Sequence, residues 1–322
     1  MSTTVQASEL RNVYNPSSKK TADNAWEETW IENSRRVSTP LAAQMLEQMG
    51  ISASTTAPFR LLENACGAGV VAPFLQRIIQ PDVLRQSSIV CGDFSDKMVG
   101  LAEGRIQREG WINTKALRVD AQKLDFEDDT FTHVATNLGF HVVPDSEAAL
   151  DEAMRVLQPG GILGFTTFHC HPSWFRDVKA AFQSFPFEAP CSMELQTTSW
   201  GQWSDINWVR ETLVNKGLCN VKVSVFAHLS DVDGPEDFIT RYGMMVDWIV
   251  DSCWSEELRR EYPREVVHRM VKEFLEKRRD VANDLALAYA TQDQLYALFL
   301  LVAWENHDYM HGNGAPLYSP DR

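Results

Sequence analysis

The stretch Leu61-Leu62-Glu63-Asn64-Ala65-Cys66-Gly67-Ala68-Gly69-Val70 decides the fold. An apolar run enters a turn of small residues, and a helical pattern follows. The backbone must bend sharply there and come close to a ligand, and a side chain at Gly67 or Gly69 would block that approach. A turn of this composition also closes many structural connections, so its place after a strand and before a helix carries the inference.

Outward from this turn, strand and helix patterns alternate. Phe59–Glu63 reads as a buried strand and Val70–Gln80 as a helix stopped before Pro81. Ser88–Asp93 reads as a strand, and Ser95–Glu109 as a helix capped by Ser95 and ended by Gly110. Strands at Ala116–Asp120 and His133–Leu138 come next, then a helix over Ser146–Gln158, a Pro159–Gly160–Gly161 turn and a strand at Ile162–Phe168. Such alternation predicts a doubly wound, Rossmann-like α/β sheet. Ahead of it, Trp26, Trp30 and Ile31 share helical spacing, and Ser38-Thr39-Pro40 signals a second helix before Leu41. After it come a helix near Asp205–Lys216, a strand at Val221–Leu229 and a helical region over Pro235–Leu287. The apolar run Leu295–Trp304 reads as a last strand pairing with Val221–Leu229, or as a short buried helix.

These patterns divide the chain into a tail and helical cap (1–57), a cofactor-binding core (58–168), an aromatic segment with a late helix-strand unit (169–234), a helical lid (235–290), and a last strand with its tail (291–322).

Two acidic positions extend the ligand hypothesis. Asp93 ends the second strand at about the ~20-residue spacing from which a carboxylate reaches ribose hydroxyls in nucleotide-binding βαβ units. Capping the next helix is its alternative role, although Ser95 is better placed for that. Asp120-Ala121 ends the third strand, where a polar side chain can meet an exocyclic amine.

The same segments resemble the motifs of class I S-adenosylmethionine-dependent methyltransferases. Glu63-Asn64-Ala65-Cys66-Gly67-Ala68-Gly69 is similar to their first motif, with Ala65 in place of the usual first glycine. Gly92-Asp93-Phe94-Ser95-Asp96-Lys97-Met98 resembles the ribose-binding segment. Asp120-Ala121 with Leu124–Phe131 resembles the adenine-contacting motif, and Val156–Gly161 the turn before the fifth strand. Thr132 and His133 depart from the pattern. The Asn-Ala-Cys-Gly wording and the aromatic N-terminal segment most resemble small-molecule methyltransferases of fungal secondary metabolism.

The resemblance implies S-adenosyl-L-methionine as cofactor, held by Glu63, Ala65, Gly67, Gly69, Asp93, Phe94, Met98, Asp120, Ala121, Asn137 and Leu138. It places the acceptor near Trp26, Trp30, Phe140, His169 and Trp174. His141 is the candidate general base, titrating near pH 6–7, with a strand-end histidine bonded to backbone as the alternative.

Composition narrows the partners. A net charge of −14 repels nucleic acids and anionic membranes, and the cations Lys272, Lys277, Arg278 and Arg279 are interleaved with acids. The six cysteines form no CxxC pair, and His169-Cys170-His171 has poor spacing for a shared ion, so no metal is expected. The polar start MSTTVQASELRNVYN and the lack of a run of ~18–20 apolar residues place the protein in the cytoplasm. The implied function is methyl transfer to a small, largely apolar molecule. Its rivals are a non-catalytic cofactor-binding regulator and a nicotinamide-dependent dehydrogenase, the latter disfavoured because no Tyr-x-x-x-Lys pair follows.

Overall fold

The computed structural model describes residues 24–168, 173–191, 203–284 and 293–305. Helix α1 (Asn24–Asn33) runs through a π-helical turn (Ser34–Ser38) into α2 (Thr39–Gln48). The expected helix start at Ser38-Thr39-Pro40 is therefore a continuation. Pro40 falls at the junction with the π-helical turn, and Ser38 makes no side-chain cap.

Strand β1 (Arg60–Asn64) leads through the small-residue turn into α3 (Val71–Ile78). Pro81 does more than stop that helix: it opens another, α4 (Pro81–Gln86), because its fixed φ suits a first helical position. Strand β2 (Ser88–Asp93) and helix α5 (Asp96–Glu109) follow. The Ser95 hydroxyl accepts from Met98 N–H at the start of α5, and Gly110 closes it at φ 67°. Next come β3 (Thr114–Arg118), β4 (Phe131–Asn137), a 3₁₀ turn (Phe140–Val142), α6 (Ser146–Arg155) and β5 (Leu157–Phe168). Strand β5 begins earlier than expected and takes in the Pro159-Gly160-Gly161 segment.

Beyond it lie α7 (Ser173–Gln183), α8 (Ile206–Asn215) and β6 (Lys222–Asp231). Three helices, α9 (Pro235–Cys253), α10 (Glu256–Glu261) and α11 (Arg264–Asp284), precede β7 (Asp293–Glu305). The apolar run near the end is thus a strand, not a helix. It pairs antiparallel with β6 and also with β5.

The sheet order is β3-β2-β1-β4-β5-β7-β6, with β1 to β5 parallel. Strand alternation sends neighbouring side chains to opposite faces. Leu61, Ile89, Cys91 and Ala135 pack with α2 and α3 residues such as Met45, Leu46 and Leu75. Leu62, Val90 and Val134 pack with Leu150, Leu163, Phe165 and Trp203 on the other side. A third apolar cluster joins α7, α9 and α11 through Phe182, Phe238, Val246, Ile249 and Val271. Order reverses between β1 and β4, and at such a switch point the loops leaving the carboxyl ends of the strands diverge and open a crevice.

Candidate active site

A cavity of about 320 Å³ lies in that crevice. The turn after β1 forms its floor. Ala65 has φ 54° and Gly67 φ 56°, so both occupy the left-handed region. Ala65 accepts there a strain of roughly 1–2 kcal/mol that glycine would avoid. A Cβ built on Gly67 meets no protein atom within 4 Å, although the residue lies on the cavity wall.

Asp93 braces this turn. Its Oδ2 accepts from Gly67 N–H at 2.8 Å and its Oδ1 from Ser95 N–H at 2.9 Å. Burial pushes the carboxyl up, opposed by backbone donors from Ser95, Gly67 and Phe94. Asp93 therefore orients the loop while standing on the wall, and the cap of α5 falls to Ser95. Phe94, Met98, Asp120, Ala121, Asn137 and Leu138 stand there too. Asn137 ties the wall together: its amide donates to Ser38 O at 3.1 Å and its carbonyl accepts from Thr166 Oγ1 at 2.7 Å.

Two expected cofactor contacts sit elsewhere. Glu63 is 1% exposed, and its carboxylate accepts from Val70, Val71 and Ala72 N–H at 2.7, 2.8 and 2.9 Å. It is spent on the N-terminus of α3, where backbone donors and the helix dipole favour an anion. Gly69, at φ 84°, is required by packing: a Cβ would come within 3.0 Å of the Trp111 ring. Behind it, buried Arg105 donates to Ala68 O at 3.0 Å and Gly69 O at 2.6 Å, locking the turn to α5.

Among the expected acceptor residues, Trp30 and Trp174 line the cavity and Phe140 does not. Phe140 is fully buried, stacked on Trp203 at 5.0 Å and edge-on to Phe165, because the Trp203 indole is anchored to Ser146 Oγ at 2.8 Å. The Trp26 side chain and His169 lie outside the described residues. His141 is on the wall, 4% exposed, its ring edge-on to Phe168 at 4.7 Å and its Nδ1 without a hydrogen-bond partner. Burial lowers its pKa to about 4, so it is neutral at pH 7 and titrates well below the range that its unperturbed chemistry implies. The Cys66 thiol, also on the wall, is pushed well above its usual value by its hydrogen bond with the free thiol of Cys91 and by burial, and stays protonated.

The segment near Phe238–Trp254 is expected from its Trp and Met content to supply pocket residues, but no single position in it is marked by the sequence. Arg241, Met244, Met245 and Trp248 of α9 recur at helical spacing and face the cavity as one stripe, with Tyr242 stacked on Trp174 at 5.7 Å. The i, i+3, i+4, i+7 pattern was visible, but nothing in it says which neighbour the stripe meets. Asn64 at the end of β1 is buried on the wall with neither amide atom hydrogen-bonded. Among the described residues no group of His, Cys, Asp or Glu could hold a metal ion, and no helix is long and apolar enough to cross a membrane.

A sheet in this order with a cavity at its switch point is the architecture of class I S-adenosylmethionine-dependent methyltransferases. Residues 44–192 match the ubiE/COQ5 methyltransferase family. Methyltransferase tpcH of Aspergillus fumigatus is 30% identical over 75% of this chain and 86% of its own length. The acetylaranotin bis-thiomethyltransferase of Aspergillus terreus is 26% identical over 77% and 86%. Among solved structures, phosphoethanolamine N-methyltransferase 2 of Haemonchus contortus superposes with a TM-score of 0.54 at 14% identity, covering 96% of this chain and 62% of that one. The chain belongs to the S-adenosylmethionine-dependent methyltransferase family that these fungal relatives represent, and it methylates a small molecule. The comparisons lend the non-catalytic reading no support.

Proposed function

We propose that the acceptor is a largely apolar molecule, carried between the glycine turn and the aromatic wall of α9, with His141 as the base that receives its proton. The single observation behind this reading is the composition of one continuous cavity, whose wall carries Gly67 and Asp93 together with Trp30, Trp174, Met244, Met245 and Trp248. Apolar walls with a few placed polar groups suit a small organic ligand.

When bound, the cofactor supplies a methyl group already activated by its sulfonium. The chain's own task is to hold the acceptor in line, exclude water and take a proton where one must leave. Asp93 keeps acceptor capacity for the ribose hydroxyls beyond the backbone bonds it makes. Neutral His141 presents a lone pair at pH 7, and protonated Cys66 does not compete for the methyl group.

The test is a thermal-shift comparison of S-adenosylhomocysteine with NAD, followed by mass spectrometry of reactions with apolar and with charged acceptors. Stabilisation by S-adenosylhomocysteine alone, with apolar products heavier by one CH₂ unit, is expected. Turnover confined to charged acceptors would overturn the reading.

A further inference from the structure

Arg105 is 8% exposed, although a guanidinium is costly to bury. It stands on α5, behind the turn that follows β1 and away from the cavity wall. Both edges of its fork are engaged. Nη1 donates to Ala68 O at 3.0 Å and to Gly69 O at 2.6 Å, while Nε and Nη2 donate to the Glu109 carboxylate at 2.8 and 3.4 Å. The guanidinium carbon lies 4.9 Å from the centroid of the Trp111 ring, whose Nε1 donates to the same carboxylate at 3.1 Å. That ring also closes the space beside Gly69, so one cluster fixes the guanidinium and the end of the turn together.

Opposite charges thus grip successive peptides of one turn. Glu63 accepts the N–H groups of Val70, Val71 and Ala72, and Arg105 binds the carbonyls of Ala68 and Gly69. On the cavity side, Asp93 accepts the Gly67 N–H. Asp93 ends β2, and β2 leads into α5, so the turn is tied to a single strand-helix unit both in front and behind. Without Arg105 it could pivot about the Asp93 bond and the bond from Cys66 N–H to Gly92 O. Met98 of α5 stands on the same wall as Gly67, so the rear tie also sets how these two parts of the wall face each other. An apolar side chain would fill this space at lower cost, since exchanging a buried ion pair for hydrophobic residues is often neutral or stabilising. What it could not do is aim two carbonyls away from the cavity, which takes a planar fork of donors.

We propose that Arg105 is a positioning residue for the cofactor: its fork sets the shape in which the turn Ala65–Gly69 receives S-adenosylmethionine, without touching the ligand. This inference rests on the reading of that turn as the cofactor's seat.

The experiment titrates S-adenosylhomocysteine calorimetrically into wild type, Arg105→Met, Arg105→Lys and Leu213→Ala, each at a temperature where its urea melt shows it folded. Arg105→Met keeps the stem but removes the donors, and its Kd should rise on the order of tenfold, as for the loss of a charged hydrogen bond. Arg105→Lys keeps a cation that can serve one carbonyl, so it should recover part of the affinity and leave about a threefold loss; it also supplies folded protein should the methionine variant fail to fold. Leu213 is fully buried on the opposite face of the sheet, so Leu213→Ala should lower the urea midpoint and leave Kd at the wild-type value. Wild-type affinity in either Arg105 variant would overturn the proposal. A Kd raised equally in Leu213→Ala would do the same, because the loss would then follow stability and not the shape of the turn. Gly67→Val, titrated beside them, separates this inference from the reading beneath it: affinity kept in Gly67→Val would overturn the turn assignment itself, whereas affinity lost there and kept in the Arg105 variants would overturn the role of Arg105 alone.

Discussion

The Asp93 carboxylate accepts the Gly67 N–H at 2.8 Å, joining the end of β2 to the turn after the neighbouring strand β1. One bond therefore couples loop shape to the acid proposed to hold the ribose. Gly67 sits at φ 56°, a backbone conformation that strains a branched side chain, and it lies on the cavity wall. Gly67→Val should abolish stabilisation by S-adenosylhomocysteine, which at a hundredfold excess over Kd amounts to about 2.7 kcal/mol in wild type. An unchanged thermal shift in the variant would refute the assignment of this turn.

Asp93→Ala removes the loop brace and the proposed ribose partner together. Cofactor affinity should fall by roughly 1–3 kcal/mol, the usual cost of leaving buried donors unmet. Glu63→Ala should behave differently. Its carboxylate caps α3 through three N–H bonds, so the loss should appear in the denaturation midpoint more than in the affinity of the protein that remains folded. Calorimetric titration of both variants beside urea melts separates the two roles.

Glu63 also shows how far the sequence was legible. The motif spells Glu63 beside the glycine turn, and adjacency suggested a ligand contact. The side chain points to the α3 terminus instead, a choice set by strand pleat and by donors that only the folded helix supplies. Phe140 was misjudged for a similar reason, since Trp203, sixty-three residues away, claims its ring. The alternation of strands, the turn and Asp93 were readable because each is a local pattern with a local cause. Arg241 was not, because its meaning comes from which cavity α9 covers, and tertiary packing decides that.

Acid should destabilise the fold through buried histidines. Burial lowers both His133 and His141 from 6.5 to about 4, so each remains neutral in the folded chain where the unfolded chain would take a proton. Their contribution is present above pH 6.5 and is lost as pH falls toward 4, on the order of 3 kcal/mol for each. Urea midpoints measured between pH 7 and pH 4.5 should drop, and the drop should be shallower in His141→Phe. An identical slope in that variant would mean that His141 already has the same pKa in both states.

Turnover should survive strong chelators, because the described residues hold no cluster of three potential metal ligands. Activity lost in EDTA and restored by magnesium would point to an ion-assisted mechanism.

The acceptor atom can be identified through His141. Methyl transfer to a hydroxyl needs its proton removed, whereas a thiol that ionises near neutrality needs far less help. His141 is on the cavity wall with Nδ1 unpartnered, and its pKa of about 4 leaves it unprotonated across the neutral range. A base so weak gives a small driving force, but it is always in the right protonation state. For a phenol or alcohol acceptor, kcat/KM should therefore stay flat from neutrality downward and fall only as pH approaches about 4, not near 6–7 where an exposed histidine would titrate. His141→Ala should lose on the order of 10²-fold in turnover and lose that acid limb. For a thiol acceptor the variant should stay active, and the rate should follow the ionisation of the acceptor itself. Full activity of His141→Ala on a hydroxyl acceptor would exclude His141 as the base and leave positioning within the cavity to account for the rate.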